Sequence, residues 1–233
     1  MTRTDAGNGV ESHPIEPVLI EFASGLAHDL ANALNSVGLH ADMAKLMLDR
    51  GEIDNARRML DGVQTEFRRN IHLMNGLRRF ASAPNVLAIA PVALPTLLHE
   101  AKDCACMMLD AEPATIGISQ AQSVGEVHVD RETMIYVIVQ IIRNAMEAGA
   151  TRIDLDADGD NTHWRLTIRD NGPGIDDALQ PRLFGMFGST RREQGHLGLG
   201  LWVVDRLCSA NGMRVDARPG TDGGTAFVIE SAA

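Results

Sequence analysis

Asp170-Asn171-Gly172-Pro173-Gly174-Ile175 joins an acid to two closely spaced glycines and a proline. It directly follows residues 164–169, where apolar and polar side chains alternate as in a half-buried strand. An aspartate at a strand end can accept a hydrogen bond from an exocyclic amine. Glycines beside it let backbone approach a flat ring closely. Standing alone, such a stretch is usually a turn, so its neighbours carry the decision.

Upstream lies Gln140-Ile141-Ile142-Arg143-Asn144-Ala145-Met146-Glu147-Ala148, on a helix predicted over 131–148. Met134, Ile135, Ile138, Ile141, Ile142 and Ala145 form its expected buried side. An asparagine on such a helix can offer its carbonyl oxygen to a divalent cation. Downstream, Leu183-Phe184-Gly185-Met186-Phe187 places two aromatics in a loop. Then Gly195-His196-Leu197-Gly198-Leu199-Gly200-Leu201 opens a helix, where glycine-rich backbone makes a phosphate cradle. Each segment alone is weak. Four in this order, each beside the element it needs, are hard to explain as structure alone.

The order resembles the N, G1, F and G2 boxes of the GHKL, or Bergerat, ATP-binding fold. Gly223-Gly224-Thr225-Ala226-Phe227 resembles the last box of the same domain. The resemblance covers roughly residues 86–231 and implies ATP and Mg²⁺ as cofactors. By position, Asn144 would bind Mg²⁺ and Asp170 the adenine amine. Gly172 and Gly174 would shape the adenine pocket, Gly198 and Gly200 would lie against the phosphates, and Thr225 would join the nucleotide-binding set. The intervening loop would be the lid, with Arg191 or Arg192 neutralising phosphate charge. The pattern departs from the family at His196, where the G2 box usually has its first glycine, and at Glu147, where many of the kinases carry Lys or Arg. Hydrolytic members carry a glutamate one turn before the metal-binding asparagine. Here that position is Gln140, and a neutral amide takes no proton from water. Transfer to another nucleophile is therefore favoured over hydrolysis.

The rest of the C-terminal part alternates helix and strand signals. A helix is predicted over 95–109, short strands over 115–119 and 126–129, strands over 152–157 and 164–169, a helix over 201–209, and closing strands over 214–217 and 226–230. The expected fold is an α+β two-layer sandwich of the GHKL/Bergerat type, with helices on one face of a mixed sheet.

The N-terminal part reads differently. Ala23, Ala27, Leu30, Leu34, Val37, Ala41, Ala44 and Leu48 recur at threes and fours, predicting a long helix from about residue 18 that ends at Asp49-Arg50-Gly51. Asp54 is the expected N-cap of a second helix with the stripe Ala56, Leu60, Val63, Phe67, Ile71, Met74 and Leu77. The short connection predicts an antiparallel α helical hairpin. Its two apolar stripes predict a four-helix bundle on dimerisation. Residues 81–95, with three prolines, read as a linker running into a short strand. The predicted organisation is thus a flexible leader over 1–17, a dimerisation and phosphotransfer hairpin over 18–82, and an ATP-binding domain over 83–233.

His28 lies in Leu26-Ala27-His28-Asp29-Leu30-Ala31-Asn32 on the first helix, beside the seam set by Ala27 and Leu30. An unprotonated imidazole is nucleophilic near neutral pH. Asp29 is placed to take the proton from the other ring nitrogen, and Asn32 shares the face of His28 one turn on. His40 and His72 are helical too but lack the neighbouring acid and amide. The segment resembles the H box of sensor histidine kinases, with Ala33 where a proline is frequent. The resemblance implies a protein-histidine kinase that phosphorylates His28 and passes the group to an aspartate of a response-regulator receiver, with Asn32 suited to a reverse, phosphatase step. It also implies a homodimer.

Composition agrees with that class. A formal charge of −10 argues against a nucleic-acid binder, and the longest apolar runs are too short to span a bilayer. Three cysteines without paired spacing make neither a disulfide framework nor a zinc site. A cytoplasmic location follows as the default. A leader this short is too small for a folded sensor domain, so the stimulus is expected to arrive through a partner such as a separate sensor protein, through the leader residues themselves, or through a portion of the protein beyond this chain. The competing readings are a histidine phosphotransfer protein with a degenerate ATP domain, motivated by His196, and a GHKL ATPase with a coiled-coil partner domain, which Gln140 disfavours.

Overall fold

The computed structural model describes residues 15–109, 115–119, 124–176, 178–186, 198–220 and 223–231. Two long helices come first, α1 (Ile15–Asp49) and α2 (Ile53–Val86), packed along one another. At 1.5 Å per residue, α1 is about 50 Å long. It ends as its sequence predicts. Gly51 takes φ 75°, and its N–H donates to the carbonyl of Leu48. Only a residue without a Cβ adopts that conformation cheaply. Near this turn the hairpin is closed by small residues: Ala44 and Ala56 are both buried, and a Cβ on Gly62 would touch the His40 ring at 3.2 Å.

The expected N-cap of α2 is displaced. The Glu52 N–H donates to Met47 and its carbonyl accepts from Ala56 N–H at 3.0 Å, so the helix is under way before Asp54, which sits in its first turn. At the other end α2 continues to Val86, past the expected start of the linker. Leu73 and Leu77 of α2 are buried in the core of the following domain, and Phe80 packs edge-on against Trp202 at 5.1 Å. That packing carries the helix onward against its weak local propensity.

The C-terminal part contains β1 (Ile89–Ala93), α3 (Leu94–Leu109), β2 (Ile116–Ser119), β3 (Glu126–Asp130), α4 (Arg131–Glu147), β4 (Ile153–Gly159), β5 (Trp164–Asp170), α5 (Gly200–Ala210), β6 (Met213–Pro219) and β7 (Thr225–Ser231). A five-stranded sheet has the order β2-β4-β5-β7-β6. Its β2–β4 pair is parallel and the others antiparallel, so it is mixed as expected. Leu155, Ile168, Phe227 and Ala217 stand in one cross-strand row, all buried beneath the helices. The alternate positions Asp154, Asp156, Arg165 and Arg169 are not buried, the pattern of a sheet covered on one face.

A separate two-stranded ribbon pairs β1 with β3 and delivers Asp130 to the start of α4. The Asp130 carboxylate accepts from Thr133 N–H and Ala88 N–H, both at 2.8 Å, while its own N–H donates to Asn211 Oδ1 at 2.9 Å. Burial alone would raise this carboxyl. The hydrogen bonds from Thr133 and Ala88 outweigh it and hold the group below the usual range. Helix α4 is therefore fixed at its N-terminus to β1 and, through Asn211, to the end of α5.

Candidate nucleotide-binding site

Helix α4 is buried on more sides than its stripe predicts. Met134, Ile138, Ile141, Ile142 and Ala145 are buried as expected, and Ile135 half-buried, but so are Tyr136, Gln140 and Arg143. The reason is α2, which covers the second face. His72 of α2 stacks on Tyr136 with ring centroids 4.3 Å apart, and a Cβ on Gly76 would run into the Tyr136 hydroxyl. Burial pushes the His72 imidazole down to about 3; the Arg143 charge adds to this and the Gln140 side chain opposes it.

Asn144 stands one turn from the C-terminal end of α4, half-buried. Its Oδ1 accepts from Gln140 Nε2 at 3.2 Å, and Gln140 Oε1 accepts from Arg143 Nη2 at 2.7 Å. Gly200, the first residue of α5, lies against the same amide: a Cβ there would collide with Gln140 Nε2. The α4 asparagine and the glycine-rich start of α5 therefore share one neighbour. Leu199 caps α5 without a side-chain hydrogen bond, and a glycine-rich helix start of this kind is a common setting for a phosphate.

Asp170 closes β5. Its Oδ1 accepts from Gly172 N–H at 2.8 Å and from Thr225 N–H at 3.3 Å, which fixes the carboxylate between the DNGPG loop and the start of β7. Both bonds fall on one oxygen, which leaves lone pairs on the carboxylate for an amine. Gly224 takes φ 71°, and a Cβ there would strike the Asp170 backbone carbonyl. A Cβ on Gly172 would lie 2.9 Å from Asp170 Oδ1 and 3.6 Å from Ala150 Cβ. Asn171 Oδ1 accepts from the N–H groups of Thr151 and Arg152, both at 2.9 Å, tying this loop to the segment that follows α4. Gly174 approaches the Gly224 carbonyl, at 3.3 Å from its ideal Cβ position. Phe184 packs edge-on to Phe227 at 6.5 Å, so the aromatic loop rests on the same end of the sheet.

The fold thus gathers Asp170, Gly172, Gly174 and Thr225 into one cluster and Asn144 and Gly200 into a second. The two are joined through Ala150, whose N–H returns to Ala145 on α4. Gly198 immediately precedes the α5 cap. The lid residues Arg191 and Arg192, with His196 and Phe187, lie outside the described residues. His28, Asp29 and Asn32 all lie on α1. Asn32 is exposed, while the side chains of His28 and Asp29 lie outside the described part of the structure. Among the described residues, no group of three or more His, Cys, Asp or Glu side chains is arranged to hold a metal ion. The donor set fits Mg²⁺ in a different manner, since this hard cation is commonly held by one or two protein oxygens together with substrate phosphates. Asn144 Oδ1, on a half-buried residue near the glycine-rich start of α5, is such an oxygen.

Sequence reasoning missed the Arg143–Gln140–Asn144 chain and the seam with α2. The spacing 140, 143, 144 on one helix was the available signal.

Residues 129–232 match the family described as histidine kinase-, DNA gyrase B-, and HSP90-like ATPase. The chain is 28% identical over 226 residues to the C4-dicarboxylate transport sensor protein DctB of Rhizobium meliloti, covering 91% of this chain and 34% of that protein. It is 24% identical over 226 residues to the alginate biosynthesis sensor protein KinB of Pseudomonas aeruginosa, covering 94% and 38%. It spans roughly a third of the length of these relatives. Among solved structures, the Acinetobacter baumannii histidine kinase AdeS superposes with a TM-score of 0.62 at 18% identity, over 88% of this chain and 97% of that one. The catalytic domain of histidine kinase ThkA gives 0.52 at 21%, over 63% and 96%.

The α/β sandwich thus matches GHKL-type histidine kinase ATPase domains in fold, and residues 129–232 carry the match to the ATPase family. Together with the helices before it, the domain order is consistent with a two-component histidine kinase core.

Proposed function

We propose that the chain is an ATP-dependent protein-histidine kinase whose phosphoacceptor is His28. The observation that carries the nucleotide half is Asp170. Its carboxylate is fixed by two backbone N–H groups at a wall where Gly172 and Gly224 leave no room for a Cβ. Adenine would donate its exocyclic amine to Asp170 and lie against Gly172 and Gly174. The phosphates would meet the N–H groups at Gly198 and Gly200. Asn144 would hold Mg²⁺, whose chemistry is to neutralise charge on the phosphate oxygens.

The choice of kinase over ATPase rests on Gln140. It is buried, its carbonyl oxygen is engaged by Arg143, and it offers no base to activate water. The nucleophile is instead a ring nitrogen of His28. Its lone pair forms the N–P bond to the γ-phosphoryl group, the bond from phosphorus to the bridging oxygen breaks, and ADP leaves with that electron pair. Asp29 takes the proton from the other ring nitrogen. The phosphoryl group then passes to an aspartate oxygen of a response-regulator receiver, and Asn32 serves the reverse step by positioning water. The reading includes a homodimer through the hairpin and a cytoplasmic setting, where ATP is available. Among the described residues, no helix is long and apolar enough to cross a membrane.

Titration with a fluorescent ATP analogue tests the nucleotide half. Wild type should bind saturably, and more tightly with Mg²⁺. Asp170→Asn should weaken binding with and without the metal, whereas Asn144→Ala should lose mainly the Mg²⁺-dependent part. Absence of saturable binding by wild type would favour the phosphotransfer protein with a degenerate ATP domain.

A further inference from the structure

Asn144 has two chemically different ends, and only its carbonyl oxygen can ligate a cation. Which end faces the site is fixed by what holds the amide. The chain of hydrogen bonds on α4 begins at Arg143, whose guanidinium can only donate. It donates Nη2–H to Gln140 Oε1 at 2.7 Å, in a contact buried from solvent. Gln140 must then turn its Nε2 the other way, toward Asn144, which lies 3.2 Å off. A donor facing Asn144 requires an acceptor there, and this sets the carboxamide with Oδ1 at the shared position. The oxygen has a second lone pair for a cation. The polarity of both amides is thus dictated by the charged end of the chain.

Gln140 is itself held on its other sides. Gly200 leaves the space that Nε2 occupies, and His72 of α2 lies beside it on the hairpin side. Arg143 is 7% exposed and has Glu147 3.8 Å from its Nε, so its charge is buried with a partner.

We propose that Gln140 and Arg143 are positioning residues that fix the polarity of the Asn144 carboxamide, presenting Oδ1 rather than Nδ2 to the metal ion. The inference rests on the nucleotide reading above. Groups that orient a metal ligand typically change metal affinity by about 10- to 100-fold when removed. Gln140→Met keeps the length and bulk of the side chain and removes both donor and acceptor. Arg143→Met leaves Gln140 in place and removes the donor that sets its direction.

The test is a Mg²⁺ titration at fixed fluorescent ATP analogue, paired with a metal-free titration of the analogue. The Mg²⁺ midpoint should rise about 10- to 100-fold in Gln140→Met and by a smaller factor in Arg143→Met, with metal-free affinity unchanged. A residue that merely packs would lower thermal stability or weaken both titrations equally. An unchanged Mg²⁺ midpoint in folded Gln140→Met overturns the proposal. Should that variant not fold, an unchanged midpoint in Arg143→Met does so. A wild-type chain indifferent to Mg²⁺ overturns the nucleotide reading itself, and this one with it.

Discussion

Single residues on the walls of the site are held by contacts that leave no tolerance. Gly224 combines a positive φ with a carbonyl where its Cβ would be. Gly224→Ala is expected to distort the Asp170 turn and to lose analogue binding by at least 10-fold, while far-ultraviolet circular dichroism stays that of the folded protein. His72 makes a pH prediction. Its imidazole is stacked on Tyr136 beside Gln140 and the Arg143 charge, and burial lowers it from 6.5 to about 3. The packed state is favoured in full above 6.5 and loses that contribution as pH falls from 6.5 toward 3, because the proton binds the opened state more tightly. One unit below 6.5 the cost is about 1.4 kcal/mol. Denaturant midpoints measured between pH 7 and 5 should fall in wild type. They should fall less in His72→Leu, which has no proton to bind at the seam. Of these residues, Asp170, Gly172 and Gly200 were legible in the sequence, since their spacing and flanking elements are local. His72 was not. Its buried surroundings come from α4, some sixty residues on, and a histidine with Arg68, Arg69 and Asn75 one helical turn away reads as surface.

At the level of elements, α4 is the part on which the site depends. Asp130 caps it, ties it to β1 and is itself anchored to Asn211. Asp130→Ala should cost about 1–2 kcal/mol for the cap alone, read as a lower midpoint in urea with unchanged slope. The sequence made α3, α4, β5 and α5 legible to within a residue or two, because their periodicities belong to one chain segment. It misplaced the start of α2 at Asp54, where the tight turn from Met47 to Glu52 begins the helix earlier. It also ended α2 too soon. Propensity near the prolines pointed to a linker, whereas Leu77 and Phe80, packed on the ATP-binding domain, keep the helix intact. Tertiary contact, absent from any local pattern, decided both the length of α2 and the burial of Tyr136.

On the scale of the whole molecule, the hairpin presents an unsatisfied surface. Leu34, Leu39, Leu46, Leu60, Phe67 and Ile71 are exposed on α1 and α2. Several belong to the stripes from which the sequence predicts a four-helix bundle. Light scattering at micromolar concentration is expected to give twice the chain mass, and Phe67→Glu to shift it toward the monomer. The same hairpin meets the ATP-binding domain along His72, Leu73, Leu77 and Phe80, with an ion pair between Arg79 and Glu132 beside them. One helix thus has two neighbours to satisfy, which is how the hairpin carrying His28 is physically joined to the domain that would bind ATP. A histidine kinase of the proposed kind requires this domain to phosphorylate His28. The most direct measurement is incubation of wild type and His28→Ala with γ-labelled ATP and Mg²⁺, followed by acid treatment. Wild type is predicted to carry an acid-labile, base-stable label, and His28→Ala to carry none while binding the fluorescent ATP analogue as wild type does. Undiminished acid-labile label in His28→Ala, or none in nucleotide-binding wild type, would contradict it.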